Sequence, residues 1–422
     1  MTNTTATPSE DDPGDALVDD TLAGDVENVE TVGAHEFKDA FGEEIAATLD
    51  LDSWSADANL QGLYERLGHE VCRAIAQERR IRQFVRDELF PMLATRPNAP
   101  AHAGVYQATI DQLESIHRKV LFPGRLETCD GTVVNHETLL LTVTQIGVCL
   151  LSYQGDQLTL SQRLYRRDLR STGDDPLAEA KELLRRRRDR AAAGVEDRRD
   201  TLSELARRGI MAYAERAVLL ERSDARWRMG HGNPAPYELV TGSGSMELLE
   251  AGARVVQQLV CDHQRFVFVP SSIKDRLLLT VGDALHPLEY AIVDTATERI
   301  LQIVDNGHYE RSQRADGRNW LQFARDFATS VGPNIVLGIY RASPTAPARP
   351  FFAHPDHVHE AVLVAMADSV LQEHRGFPLS IDLADTVCRT AFGLDVFSEA
   401  VRGAYADAGE PFRHLNERDT RK

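Results

Sequence analysis

The feature that most constrains this chain is a change of character at Leu126. Three runs rich in β-branched and large apolar residues follow in close order, LETCDGTVV, ETLLLTVTQIGVCLLSY and LTLSQRLYRRDL. Only the short polar connections NH and QGDQ join them. Connections that short leave no room for a crossover, so the runs are expected to pair as an antiparallel meander. A meander must bury its apolar face against further elements. A chain of 422 residues can supply them, as one core domain with large helical additions or as two domains.

Residues 1 to 34 are acidic and poor in aromatics, the composition of a solvated tail. From 35 to 122 the apolar spacing is helical, in LQGLYERLGHEVCRAIAQERRIRQFVRDELFPML and YQATIDQLESIHRKVLF, with ATRPNAPAHAG as a linking loop. After the meander come charged helical segments from Pro176 to about Trp227, with KELLRRRRDR and ELARRGIMAYAERAVLLER at their cores. A Gly/Pro-rich loop, MGHGNPAPYELVTGSGS, leads into the helix MELLEAGARVVQQLV. The strand RFVFVPSS, the helical LEYAIVDTATERILQIV and the strand NIVLGIYRAS follow, then the helices HEAVLVAMADSVLQEH and DLADTVCRTAF. Strands separated by helices imply parallel pairing through right-handed crossovers. The expected fold is α/β, a ribonuclease-H-like mixed sheet with helical additions, spanning 123–400 and followed by a tail at 401–422. In that order of elements the first strand lies centrally and bears an acidic residue.

Five scattered cysteines, mostly in apolar runs, fit free thiols in a reducing compartment. The N-terminus lacks the basic and apolar regions of a secretory signal, and no apolar run approaches a bilayer span, so a cytoplasmic location without membrane contact is expected. The net charge of -18 would ordinarily disfavour a polyanionic ligand. Only five of the 47 basic residues are lysine, and acid is spread along the chain, as in halophilic proteins. Strong salt screens such fields within a few ångströms, so local arginine geometry outweighs net charge.

Asp130 stands out because a strand inside a sheet is a rigid place to hold a carboxylate against a hard cation, as two-metal phosphodiester hydrolysis requires. Gly131 after it permits close approach of backbone or ligand. The alternative is a strand end, since Asp-Gly is a common turn dipeptide. Glu247 opens the helix after the GSGS loop, with Glu250 three residues on. There it serves equally as a first-turn acid beside a Ser243 or Ser245 cap. His354, Asp356, His357 and His359 are ligand-type side chains at short spacing, or a polar loop entering a helix with Asp356 as its cap. The arginines of RLYRRDLR and KELLRRRRDR suit phosphates or a solvated face. Trp227, Arg228 and Tyr237 suit base stacking or loop packing. No Gly-rich phosphate loop with Lys is present, which argues against ATP hydrolysis.

The run TCDGTVV, then SMELLEAG with RFVFVPSS, and finally HRGFPLSIDLADTV resemble the ordered motifs of the NurA nuclease family. The resemblance spans roughly Leu126 to Phe392. It implies a ribonuclease-H-like fold, a manganese- or magnesium-dependent DNA nuclease, a homodimer, and a HerA-type hexameric ATPase as partner in DNA repair. By position, Asp130 matches the family's first aspartate and Glu247 the glutamate on the following helix. The chain departs where the family carries a second acid, having Val269, Pro270, Ser271 and Ser272. It departs again where the family ends in Ala-His, having Ala384 and Asp385. Asp385 is the expected third catalytic and metal-holding acid, with Asp275 as a substitute. Two rival readings stay open: a catalytically silent scaffold that docks on the motor ring, and a metalloprotein centred on His354, His357 and His359.

Overall fold

The computed structural model describes residues 34–54, 60–137, 141–155, 158–168, 205–272, 274–307, 309 and 317–412, with isolated positions between 177 and 185. Almost all of the acidic tail and most of KELLRRRRDR lie outside the described residues.

The strands are β1 (Gly104–Gln107), β2 (Leu126–Glu137), β3 (Leu141–Leu151), β4 (Thr159–Asp168), β5 (Trp227–His231), β6 (Phe266–Val269), β7 (Glu289–Thr295), β8 (Val336–Tyr340) and β9 (Arg349–Ala353). They form one sheet in the order β1-β7-β8-β9-β6-β5-β2-β3-β4. β2, β3 and β4 pair antiparallel, so the expected meander is present, and it occupies one flank of the sheet. β5 lies parallel to β2, and β6 parallel to β5.

Every residue of β6 and β8 is buried, and β5 is buried up to His231. Such runs belong to sheet interiors covered on both faces, and the helices supply the cover. The main ones are α1 (Leu60–Phe84), α2 (Ile110–Ile116), α3 (Ile210–Glu221), α4 (Met246–Gln257), α5 (Arg276–Ala284), α6 (Thr297–Asp305), α7 (Trp320–Val331), α8 (Val358–Ser369), α9 (Leu379–Phe392) and α10 (Leu394–Asp407). On one face, Met211 and Leu219 of α3, Leu249 and Val256 of α4, Ile300 of α6 and Phe327 of α7 pack with Cys129, Ile146 and Phe268 of the sheet. On the other, Leu113 of α2, Val362 of α8 and Ile381 of α9 pack with Leu126, Trp227 and Val267. α9 continues over β3 through Ala384, Cys388 and Phe392 against Cys149 and Leu151.

The α/β class and the mixed sheet stand; four local expectations are corrected. Glu289–Thr295, read as part of a helix, is β7, and helix begins only at Thr297. Ala291, Ile292 and Val293 are consecutive buried residues, which a strand inside a covered sheet accommodates and a one-faced helix does not. Trp227–His231, placed at a helix end and the start of a loop, is β5. The later strands do not pair in parallel: β9 lies between β6 and β8 and runs antiparallel to both, and β7 is antiparallel to β8. β1 arises in the region read as a loop among helices and closes the sheet beside β7. No helix among the described residues is long and apolar enough to cross a membrane.

Candidate functional site

The parallel strands β2, β5 and β6 run in register, with Cys129 beside Gly230 and Gly230 beside Phe268. One step further along, Asp130 stands beside His231, the last residue of β5, and His231 beside Val269, the last of β6. The C-terminal ends of parallel strands are where open α/β sheets place their ligands, because the connecting loops diverge there. Asp130 is 5% exposed. Its Oδ1 accepts the Gly131 backbone N–H at 2.9 Å and lies 3.4 Å from His231 Nδ1.

Gly131 faces the α3 layer. A Cβ built there would stand 2.6 Å from Glu215 Oε1, so the missing side chain is what lets the Glu215 carboxylate reach the β2 backbone. Glu215 is paired with Arg216, which is buried to 2% exposure. The Arg216 guanidinium also donates to the carbonyls of Asn233 at 2.6 Å, Ala212 at 3.3 Å and His231 at 3.4 Å. One buried arginine thus holds both Glu215 and the chain leaving β5.

α9 covers the Asp130 face. Thr128 Oγ1 donates to Ser380 Oγ at 2.8 Å, and Ser380 Oγ donates to the fully buried Asp368 at 2.5 Å. Tyr153 donates to the same carboxylate, and the Ser380 N–H reaches it at 3.1 Å. Burial raises the pKa of Asp368 despite these donors. The network fixes the first turn of α9, one turn before Asp385. Asp385 pairs with Arg389 at 2.9 Å. Burial pushes the Cys388 thiol up, and the charges of Asp130, Cys149, Glu215 and Asp385 add to the shift. Cys149, opposite Asp130 on β3, is pushed up to about 12 by burial and then by Asp130. Carboxylates from β2, α3 and α9 therefore act on one buried thiol.

Two of the segments singled out in the sequence meet this rank of residues. The VPSS segment leaves β6 there, and Arg349 donates to the carbonyls of Ser271 and Arg375, both at 2.8 Å. The Gly376–Phe377 turn is thereby brought in, with the Phe377 ring edge-on to His231 at 5.9 Å. Gly376 adopts φ 56, and a Cβ there would meet Ala346 at 2.4 Å.

The other candidates are placed elsewhere. Glu247 is exposed in the first turn of α4, which Ser245 caps at 3.4 Å, and Glu250 pairs with Arg254 and Arg318. The helix that follows the meander and lies over β2 is α3, and the carboxylate it brings to Gly131 is Glu215. Asp275 caps α5 through the Leu278 N–H at 2.9 Å and pairs with Arg299. His354, not Asp356, is the cap of its turn: its Nδ1 accepts the Asp356 N–H at 3.2 Å. His359 Nδ1 lies 2.9 Å from the Tyr290 hydroxyl. Trp227 is fully buried, and Arg228 donates to the Ser223 carbonyl at 2.9 Å. Arg163 and Arg166 are exposed on β4 at the sheet edge.

Glu215 and His231 were not singled out in the sequence. A signal for Glu215 existed: it lies four residues after Met211 and four before Leu219, both buried, so Glu-Arg interrupts the apolar face of α3. His231 was hidden by the glycine and prolines that follow it. Among the described residues, no group of three or more His, Cys, Asp or Glu side chains stands where it could hold one ion. Asp130 and His231 do form a two-point donor pair, oxygen and nitrogen, with Glu215 over the adjoining backbone.

No family model and no curated protein matches the chain. Among solved structures the chain is similar to the NurA nuclease from Sulfolobus solfataricus, at 8% identity and a TM-score of 0.43, over 82% of this chain and 99% of that one. A structure of NurA with manganese overlaps at 8% identity and a TM-score of 0.38, over 70% of this chain and 96% of that one. Overlap this loose leaves the chemistry to be read from the chain's own residues.

Proposed function

We propose that this protein is a divalent-metal-dependent DNA nuclease whose site lies at the joint ends of β2, β5 and β6. The observation that carries the reading is the seating of Asp130 at the C-terminal end of β2, with His231 at 3.4 Å and Glu215 drawn over Gly131. A bound cation would polarise a phosphodiester and lower the pKa of an attacking water. Asp130 would hold it, and burial keeps that carboxylate from competing solvent. Glu215 is the second carboxylate, and Asp385 on α9 is the third. Manganese suits such a mixed oxygen and nitrogen donor set better than magnesium.

The order of the sequence motifs supports DNA as substrate, and their NurA-like character supports a homodimer fed by a HerA-type ATPase in DNA repair. One observation favours a second reading, a silent scaffold docked on that motor: Glu215 is already matched by Arg216, and no three donors gather.

The test is cleavage of end-labelled linear and single-stranded DNA at high salt with manganese, magnesium or EDTA, with and without a HerA-type ATPase and ATP. Metal-dependent cleavage by the wild type that vanishes in Asp130→Ala establishes the nuclease. Absence of cleavage under every condition establishes the scaffold.

A further inference from the structure

We propose that His231 is a metal ligand that gives the Asp130 site a preference for transition cations over magnesium. The inference deepens the nuclease reading and rests on its metal. The pair Asp130 Oδ1 and His231 Nδ1 stands at 3.4 Å, beyond the ~2.7–3.2 Å of a good N–H···O bond. Two donors each ~2.0–2.1 Å from a tetrahedral cation stand roughly 3.3–3.4 Å apart, so the spacing is that of a chelate bite.

The pair is also rigid. Asp130 and His231 are in register on adjacent parallel strands, Asp130 is tied to the Gly131 N–H, and Arg216 donates to the His231 carbonyl. Neither the acid of the NurA-like pattern nor any other carboxylate occupies the end of β6, where Val269 and Pro270 stand. The imidazole at the end of β5 is the neighbouring donor. Imidazole binds zinc, cobalt, nickel and iron well and magnesium poorly. An aspartate in its place would favour the hard cation.

The experiment is calorimetric titration of the purified full-length protein with cobalt(II) and with magnesium, for wild type, His231→Ala, His231→Asp and Asp130→Asn. The expected result is cobalt binding at least about tenfold tighter than magnesium in the wild type. His231→Ala should lose at least about tenfold for cobalt and little for magnesium, and His231→Asp should shift the preference toward magnesium. Thermal melts show whether each variant is folded, and His231→Asp decides the matter if the alanine variant is not. Cobalt binding lost in Asp130→Asn but unchanged in both His231 variants overturns the inference while leaving the metal reading intact. A wild type that binds neither cation overturns both.

Discussion

Replacing Arg216 with methionine should be among the most destabilising single changes near the site, by about 3–5 kcal/mol. Methionine keeps an unbranched stem in the place where Arg216 lies over the Phe268 ring at 5.4 Å, so little packing is lost. What goes is the guanidinium that pairs with Glu215 and donates to the carbonyls of Ala212, His231 and Asn233. The Glu215 side chain is only 13% exposed, so water relieves little of the uncompensated charge. Urea unfolding of the variant and of Arg216→Met with Glu215→Gln measures both parts. The double variant should recover about 1–2 kcal/mol, because the stranded carboxylate is gone. A loss below about 1 kcal/mol in the single variant, or no recovery in the double one, would refute the claim that Arg216 compensates Glu215.

Gly230→Ala should cost about 1–3 kcal/mol in the same assay, because its Cβ would stand 2.2 Å from a Phe268 ring carbon inside β5. His263 should confer acid sensitivity: burial, then the charge of Arg228, lowers its pKa from 6.5 to about 4. The unfolded chain therefore binds the proton more readily, and stability is lost as pH falls through that window. With its part-exposed ring discounted, wild type should lose up to about 2 kcal/mol relative to His263→Gln between neutral pH and pH 4, as read by thermal melts across pH. Asp368→Ala leaves Tyr153 and Ser380 donating to nothing in a fully buried pocket, and a loss of about 2–4 kcal/mol in urea unfolding is expected.

The meander was legible because its three runs are long and their connections too short for anything but hairpins. β6 and β8 were legible as short apolar runs between turn signals. β7 was not: its apolar run flows without a break into the amphipathic α6, and only the buried neighbours on both faces decide where strand gives way to helix. β5 was lost among glycines and prolines, and with it His231. Asp130 could be found because a carboxylate in an apolar strand is anomalous. Glu215 could have been found by the same logic on α3, but its helix lies in a stretch dense with charge. Glu247 drew attention by its place after a glycine-rich loop, and that place is the exposed start of α4.

The measurement that tests the central claim most directly is manganese-dependent cleavage of single-stranded DNA by Asp130→Asn, Glu215→Gln and Glu247→Gln beside the wild type. Loss of cleavage in the first two with Glu247→Gln at wild-type rate is the predicted result. Full activity in Asp130→Asn, or loss in Glu247→Gln with Glu215→Gln unaffected, would contradict a site at the ends of β2 and β5.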